Sequence, residues 1–158
     1  MTIAIREPRD SDFFPWLSLY EAYAAVRGAA LTEQKALLLW TWLSDPAHVE
    51  SALIAVDDQD GDVVGLAHFH TFPRPLEGDS GVFVDALYVS AEVREQGVDT
   101  KLLEAVRSYA TSHGAGVLRW TKGQNEQLPA ALDSVGGEPT APEVYELQLA
   151  PQRVAQPA

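Results

Sequence analysis

Between Asp85 and Leu103 the chain reads DALYVSAEVREQGVDTKLL, a β-branched and aromatic run, then a glycine turn, then the opening of an amphipathic segment. A strand, a turn at Gly97 and a helix N-terminus make a cradle for phosphate, because free backbone N–H groups and the helix dipole point at one place. From Arg94 to Arg107, Arg94, Lys101 and Arg107 balance Glu95, Asp99 and Glu104, while the whole chain carries 11 Lys and Arg against 23 Asp and Glu. A locally neutral spot on an acidic protein suits a phosphorylated cofactor. Elsewhere, His68 and His70 share one strand face, and His48 with Glu50 could complete a metal set. Scattered imidazoles without thiolates more often line a pocket or surface, so no metal is expected. GDSG at 78–81 has the look of a serine-protease nucleophile loop, but it reads better as a hairpin turn ahead of a strand.

These residues need elements to hold them. Ile3 and Ile5 alternate with smaller or polar neighbours in a first strand ending at Pro8. Ser11 or Asp12 can cap a helix carrying Trp16, Leu19, Tyr20 and Tyr23, which Gly28 stops. Thr32 caps a second helix with an apolar face from Leu37 to Leu43, ended by Asp45 and Pro46. SALIAV, the turn DDQDG with φ > 0 at Gly61, and DVVGLAHFHTF then form a hairpin. VFVDALYV is a further strand. Leu102, Leu103, Val106, Tyr109 and Ala110 make the stripe of a third helix, closed by His113 and Gly114. VLRWT reads as a strand, LPAALDSV as a short helix and VYELQL as a last strand. The order β-α-α-β-β-β-α-β-α-β predicts a single α/β (α+β) domain over 1–150, a mixed central sheet flanked by about four helices, with a loose tail at 151–158.

Composition narrows the function. The 158 residues are 46% hydrophobic and 22% charged, with a net charge of −12 and no cysteine. That balance repels a nucleic-acid backbone and favours a cationic small substrate. Thiolate chemistry and disulfides are excluded, and no run approaches the roughly 18 apolar residues of a membrane span. The N-terminus lacks the pattern of a secretory signal, so a cytoplasmic protein is expected.

The stretch around Arg94, Gly97 and Leu102-Leu103 resembles the GNAT superfamily of N-acetyltransferases, whose pyrophosphate loop has the form R/Q-x-x-G-x-G/A after such a strand. The likeness extends to VLRWTKGQN, with Asn125 at the place of an Asn that contacts coenzyme A, to SGVFVDALYV, to HFHTF and to WLSLYEAY. It covers Ile3 to Leu149 and is strongest toward members acting on small amines and diamines.

The resemblance implies transfer of an acetyl group from acetyl-CoA to a primary amine of a small cationic acceptor by direct attack, without a metal. It implies cofactor contacts at Leu87, Tyr88, Val89, Arg94, Glu95, Gln96, Gly97, Val98, Asp99, Thr100 and Asn125. Acceptor contacts fall to Tyr20, Tyr23, His68 and His70, and the chain could form a homodimer. An alkylamine of pKa ~10 is protonated at neutral pH, so a base must remove a proton first, and Asp85 is placed for that role. A backbone N–H near Val89 would polarise the thioester carbonyl. The sequence also departs from the family: Asp99 replaces the second loop glycine, Glu95 stands where Gly is common, Leu132 takes the place of an acidic Tyr, Gly137 that of a Phe, and Pro129 shifts the helix start. An acyltransferase-like binding or sensor domain is the alternative those departures leave open.

Overall fold

The computed structural model describes residues 2–122 and 130–150. Strand β1 (Ile3–Arg6) leads through a 3-10 turn (Asp10–Asp12) into helix α1 (Phe13–Val26), followed by α2 (Glu33–Ser44). Strands β2 (Glu50–Asp57), β3 (Val63–Arg74) and β4 (Asp79–Val89) come next. A second 3-10 turn (Ala91–Gln96) precedes α3 (Val98–Ser112), then β5 (Ala115–Arg119) and the short α4 (Ala130–Ser134). No helix among the described residues is long and apolar enough to cross a membrane.

The five strands form one sheet in the order β1-β2-β3-β4-β5, antiparallel up to β4 and parallel between β4 and β5. Short-range signals explain the joints. Thr32 Oγ1 accepts the Lys35 N–H at 3.2 Å and caps α2. The β2–β3 turn closes through Gly61 N–H to Asp57 O at 2.8 Å, with Gly61 at φ 76°. Asp12 does not cap α1 with its side chain; it accepts two hydrogen bonds from Arg6, at 2.6 and 3.0 Å, and one from the Arg9 N–H, tying β1 to the start of α1. GDSG is a hairpin element, with Asp79 paired to Arg74 at 2.8 Å and Ser80 registered opposite Pro73.

Period-two alternation splits the strands between two cores. Ala55, Ala67, Phe69, Val82, Val84, Leu87 and Val89 pack with Val98, Leu102, Leu103 and Val106 of α3. Ile54, Val56, Leu66 and Ala86 face Trp16 and Leu19 of α1. Gly65 allows α3 to lie against β3, since a Cβ there would meet Leu102 Cδ1 at 2.8 Å.

One irregularity shapes the site. His68 pairs with Ala86 and Phe69 with Val84, so Asp85 is the extra residue of a β-bulge. Strict alternation from Val89 and Leu87 would send Asp85 toward α3; the bulge puts it with Ala86 on the α1 face instead.

The last predicted strand is not formed. Residues 142–150 join no sheet, and Val144, Tyr145, Leu147 and Leu149 are each more than 80% exposed. Alternation supplies a strand-like face, but without a neighbour accepting the N–H groups there is no ladder. The predicted tail at 151–158 lies outside the described residues.

Candidate active site

Three side chains from adjacent strands meet on the α1 face. Glu50 and His70 are cross-strand partners in the β2–β3 register, and the bulge brings Asp85 beside them. His70 Nδ1 lies 2.7 Å from Asp85 Oδ2 and 3.6 Å from Glu50 Oε2. Burial, a hydrogen bond to Asp85 and the charge of Asp85 together push the Glu50 carboxyl up to about 9, so it keeps its proton at neutral pH. One atom from each of Glu50, His70 and Asp85 falls within 4.8 Å of the others. His48, weighed with them from sequence, is turned elsewhere: it stacks on Trp42 at 5.0 Å and accepts the Glu50 N–H at its Nδ1.

Helix α1 lines this face with aromatic rings. Tyr20 stacks on Trp16 at 5.1 Å and lies 5.7 Å from Tyr23, and the Tyr23 hydroxyl donates to the Asp85 carbonyl at 3.4 Å. Desolvation raises both tyrosine hydroxyls above their ordinary range, so they stay protonated donors. Tyr20, Tyr23 and His70, each half-buried, therefore lie about Asp85.

His68 is not part of that group. It is 2% exposed, its Nε2 accepts the Trp16 indole N–H at 3.0 Å, and the Tyr20 ring lies 5.1 Å away. The expected acceptor contact at His68 is corrected to a core hydrogen bond. Burial holds its imidazole neutral down to about 3, against 6.5 for an exposed one. The unfolded chain binds the proton that the native state refuses. This contribution is therefore present above pH 6.5 and is lost as pH falls through the window toward 3, at about 1.4 kcal/mol per pH unit. Denaturant midpoints at pH 7, 6 and 5 are expected to fall more steeply for the native sequence than for His68→Gln.

A second feature lies on the sheet edge. Strand β5 pairs with β4 only from Ser80 to Phe83, leaving Val84 to Val89 without a strand partner on that side among the described residues. Ser90 N–H donates inward to Val64 O at 2.8 Å, so alternation turns the Val89 N–H outward toward the open edge. Leu87 and Val89 bury their side chains under α3, while Tyr88 lies on the α1 face with Arg94 5.8 Å over its ring. The chain then turns through Arg94, Glu95 and Gln96, all exposed, to Gly97 in the left-handed region at φ 72°. No side chain from before α3 caps its N-terminus, and Val98 is fully buried. Asp99 Oδ1 instead accepts the Thr100 N–H at 2.9 Å, which sets a carboxylate among the free donors.

Leu132 lies in the α3-side core, and a Cβ on Gly137 would meet Trp120 at 2.5 Å, so the small residue there makes room for the indole. Asn125 lies outside the described residues.

The family model described as Acetyltransferase (GNAT) family matches residues 16–131. The chain belongs to that family. This GNAT acetyltransferase is 27% identical over 114 residues to the D-amino-acid N-acetyltransferase HPA3 of Saccharomyces cerevisiae, covering 72% of this chain and 70% of the relative. Its fold is similar to that of a ribosomal-protein-alanine N-acetyltransferase from Brucella melitensis biovar Abortus 2308, with TM-score 0.75 and 19% identity over 94% of this chain and all of that one. It is likewise similar to AAC(6')-Iy in complex with a bisubstrate analogue, with TM-score 0.78 and 17% identity over 95% of this chain and all of that one. The GNAT acetyltransferase is thus an acyltransferase with a five-stranded mixed sheet.

Sequence reasoning treated Glu50 only as a metal ligand. The signal that could have placed it was the hairpin register, since the turn at 57–62 sets Glu50 opposite His70.

Proposed function

We propose that this acetyltransferase moves an acetyl group from acetyl-CoA to the primary amine of a small cationic acceptor. The observation that carries this reading is the Glu50–His70–Asp85 cluster, which sets a carboxyl pair and an imidazole beside the phenols of Tyr20 and Tyr23. An ammonium group is attracted to Asp85 and must then lose a proton before its nitrogen can attack a thioester. The outward N–H of Val89 is available to the thioester carbonyl oxygen, where negative charge grows as the nitrogen bonds to carbon. Gly97 and the uncapped start of α3 are available to the pyrophosphate, and no Cβ at Gly97 would narrow the approach.

Calorimetric titration with acetyl-CoA, followed by thiol release over a panel of diamines, polyamines and amino acids, tests the reading. Binding at micromolar cofactor with turnover of carboxylate-free amines is the expected result. Binding without any turnover would favour a sensor or binding domain, and no binding at millimolar cofactor would end the proposal.

The Asp99 carboxylate competes with the phosphates for the same donors. Asp99→Asn removes the charge and keeps the shape, and it is expected to tighten cofactor binding by about 2- to 20-fold, the range of one charge at a helix N-terminus. Unchanged affinity in the same titration would mean that the carboxylate is turned away from the bound phosphates.

A further inference from the structure

We infer that the atom receiving the acceptor's proton is Nε2 of His70, with Asp85 and Glu50 acting as positioning residues that fix the imidazole tautomer; this rests on the amine-acetylation reading above. Asp85 Oδ2 sits 2.7 Å from His70 Nδ1. Glu50, its carboxyl held far above the usual range, donates to Asp85 and leaves Oδ2 of Asp85 to accept at 2.7 Å, so the hydrogen between Asp85 and His70 belongs to Nδ1. The lone pair of a neutral imidazole is then on Nε2. No described residue hydrogen-bonds that nitrogen, and the side chain is 31% exposed. Stacking on Phe83 at 5.4 Å, with Phe72 at 6.4 Å, holds the ring plane.

The groups facing the cluster complete this assignment. From β2 comes Glu50, from β4 Asp85, and from α1 Tyr20 and Tyr23, with Arg27 near Tyr23. Among these Nε2 is the nitrogen acceptor that no described residue takes up, because one Asp85 oxygen already takes the Nδ1 hydrogen and the phenols and Glu50 are protonated donors. The step balances as follows. An ammonium N–H gives its proton to Nε2, and the freed nitrogen pair forms the bond to the thioester carbonyl carbon. The carbon–sulfur bond breaks with its pair on sulfur, the second nitrogen proton neutralises the thiolate, and the imidazolium returns its proton to solvent. Asp85 stabilises the imidazolium while it lasts.

Nitrogen-15 NMR of the uniformly labelled full chain tests the tautomer, with the His70 signals assigned by their loss in His70→Gln. A proton on Nδ1 in the native sequence, moving to Nε2 in Asp85→Ala, is expected. Kinetics test the role: His70→Gln is expected to lower kcat about 100-fold or more for an alkylamine, yet only about threefold for a hydrazide acceptor unprotonated at the assay pH. A merely structural histidine would lower both alike. A native Nε2–H tautomer, or equal losses with both acceptors, overturns the assignment while leaving amine acetylation standing. Absence of turnover by the native protein, with the Nδ1–H tautomer intact, overturns the functional reading and the catalytic role with it.

Discussion

Asp85→Asn is expected to lower kcat for alkylamine acceptors by about 10²- to 10⁴-fold, the usual worth of a positioned acid-base system, while the protein stays folded. The amide cannot offset the charge of a protonated His70, and it no longer attracts an ammonium group. Stability should move the other way. Removing the neighbouring charge lets Glu50 ionise at lower pH, and a carboxyl whose native value lies above its unfolded one weakens the fold as pH rises between the two. Asp85→Asn should therefore be at least as resistant to urea as the native chain at pH 8. A loss of activity that came with a lower urea midpoint would instead mark Asp85 as a structural residue of the bulge.

Trp16→Ala is expected to cost about 3–5 kcal/mol of folding stability, in line with removal of a large buried aromatic. Trp16 is fully buried between Tyr20, Trp40, Phe13 and His68, and it joins α1 to both α2 and the sheet. Its indole N–H also satisfies the buried His68 Nε2, and leaving that nitrogen without a donor adds about 1–3 kcal/mol. Trp16→Phe separates the two effects: it keeps most of the packing, loses the hydrogen bond, and should show a cost near the smaller figure in urea unfolding. If both variants cost the same, packing of the ring contributes little and the hydrogen bond holds the position.

Local chemistry made most of the fold legible. The Thr32 cap, the Gly61 turn and the α3 stripe act within a few residues, and each stands where the sequence pattern placed it. Boundaries moved where pairing governs length: β4 begins at Asp79, earlier than its apolar run, because Asp79 and Ser80 continue the ladder with Arg74 and Pro73. The segment 144–149 has the alternation of a strand and none of the partners, and a pattern in one segment carries no information about its neighbour.

The site divides along the same line. Gly97 and the helix start beyond it were readable, because a positive φ and uncapped N–H groups are properties of a short stretch. His68 and His70 look equivalent in HFHTF, yet one is sealed against Trp16 and the other meets Asp85, since which strand residue is covered depends on where α1 crosses the sheet. By itself the sequence determined one acidic, cysteine-free α/β domain with a phosphate-suited turn, because composition, periodicity and turn residues act locally. Only the tertiary structure decided that Asp85 belongs with Glu50 and His70. A bulge shifts the period of β4 by one residue, and that shift exists in the pairing of β3 with β4 rather than in either strand alone.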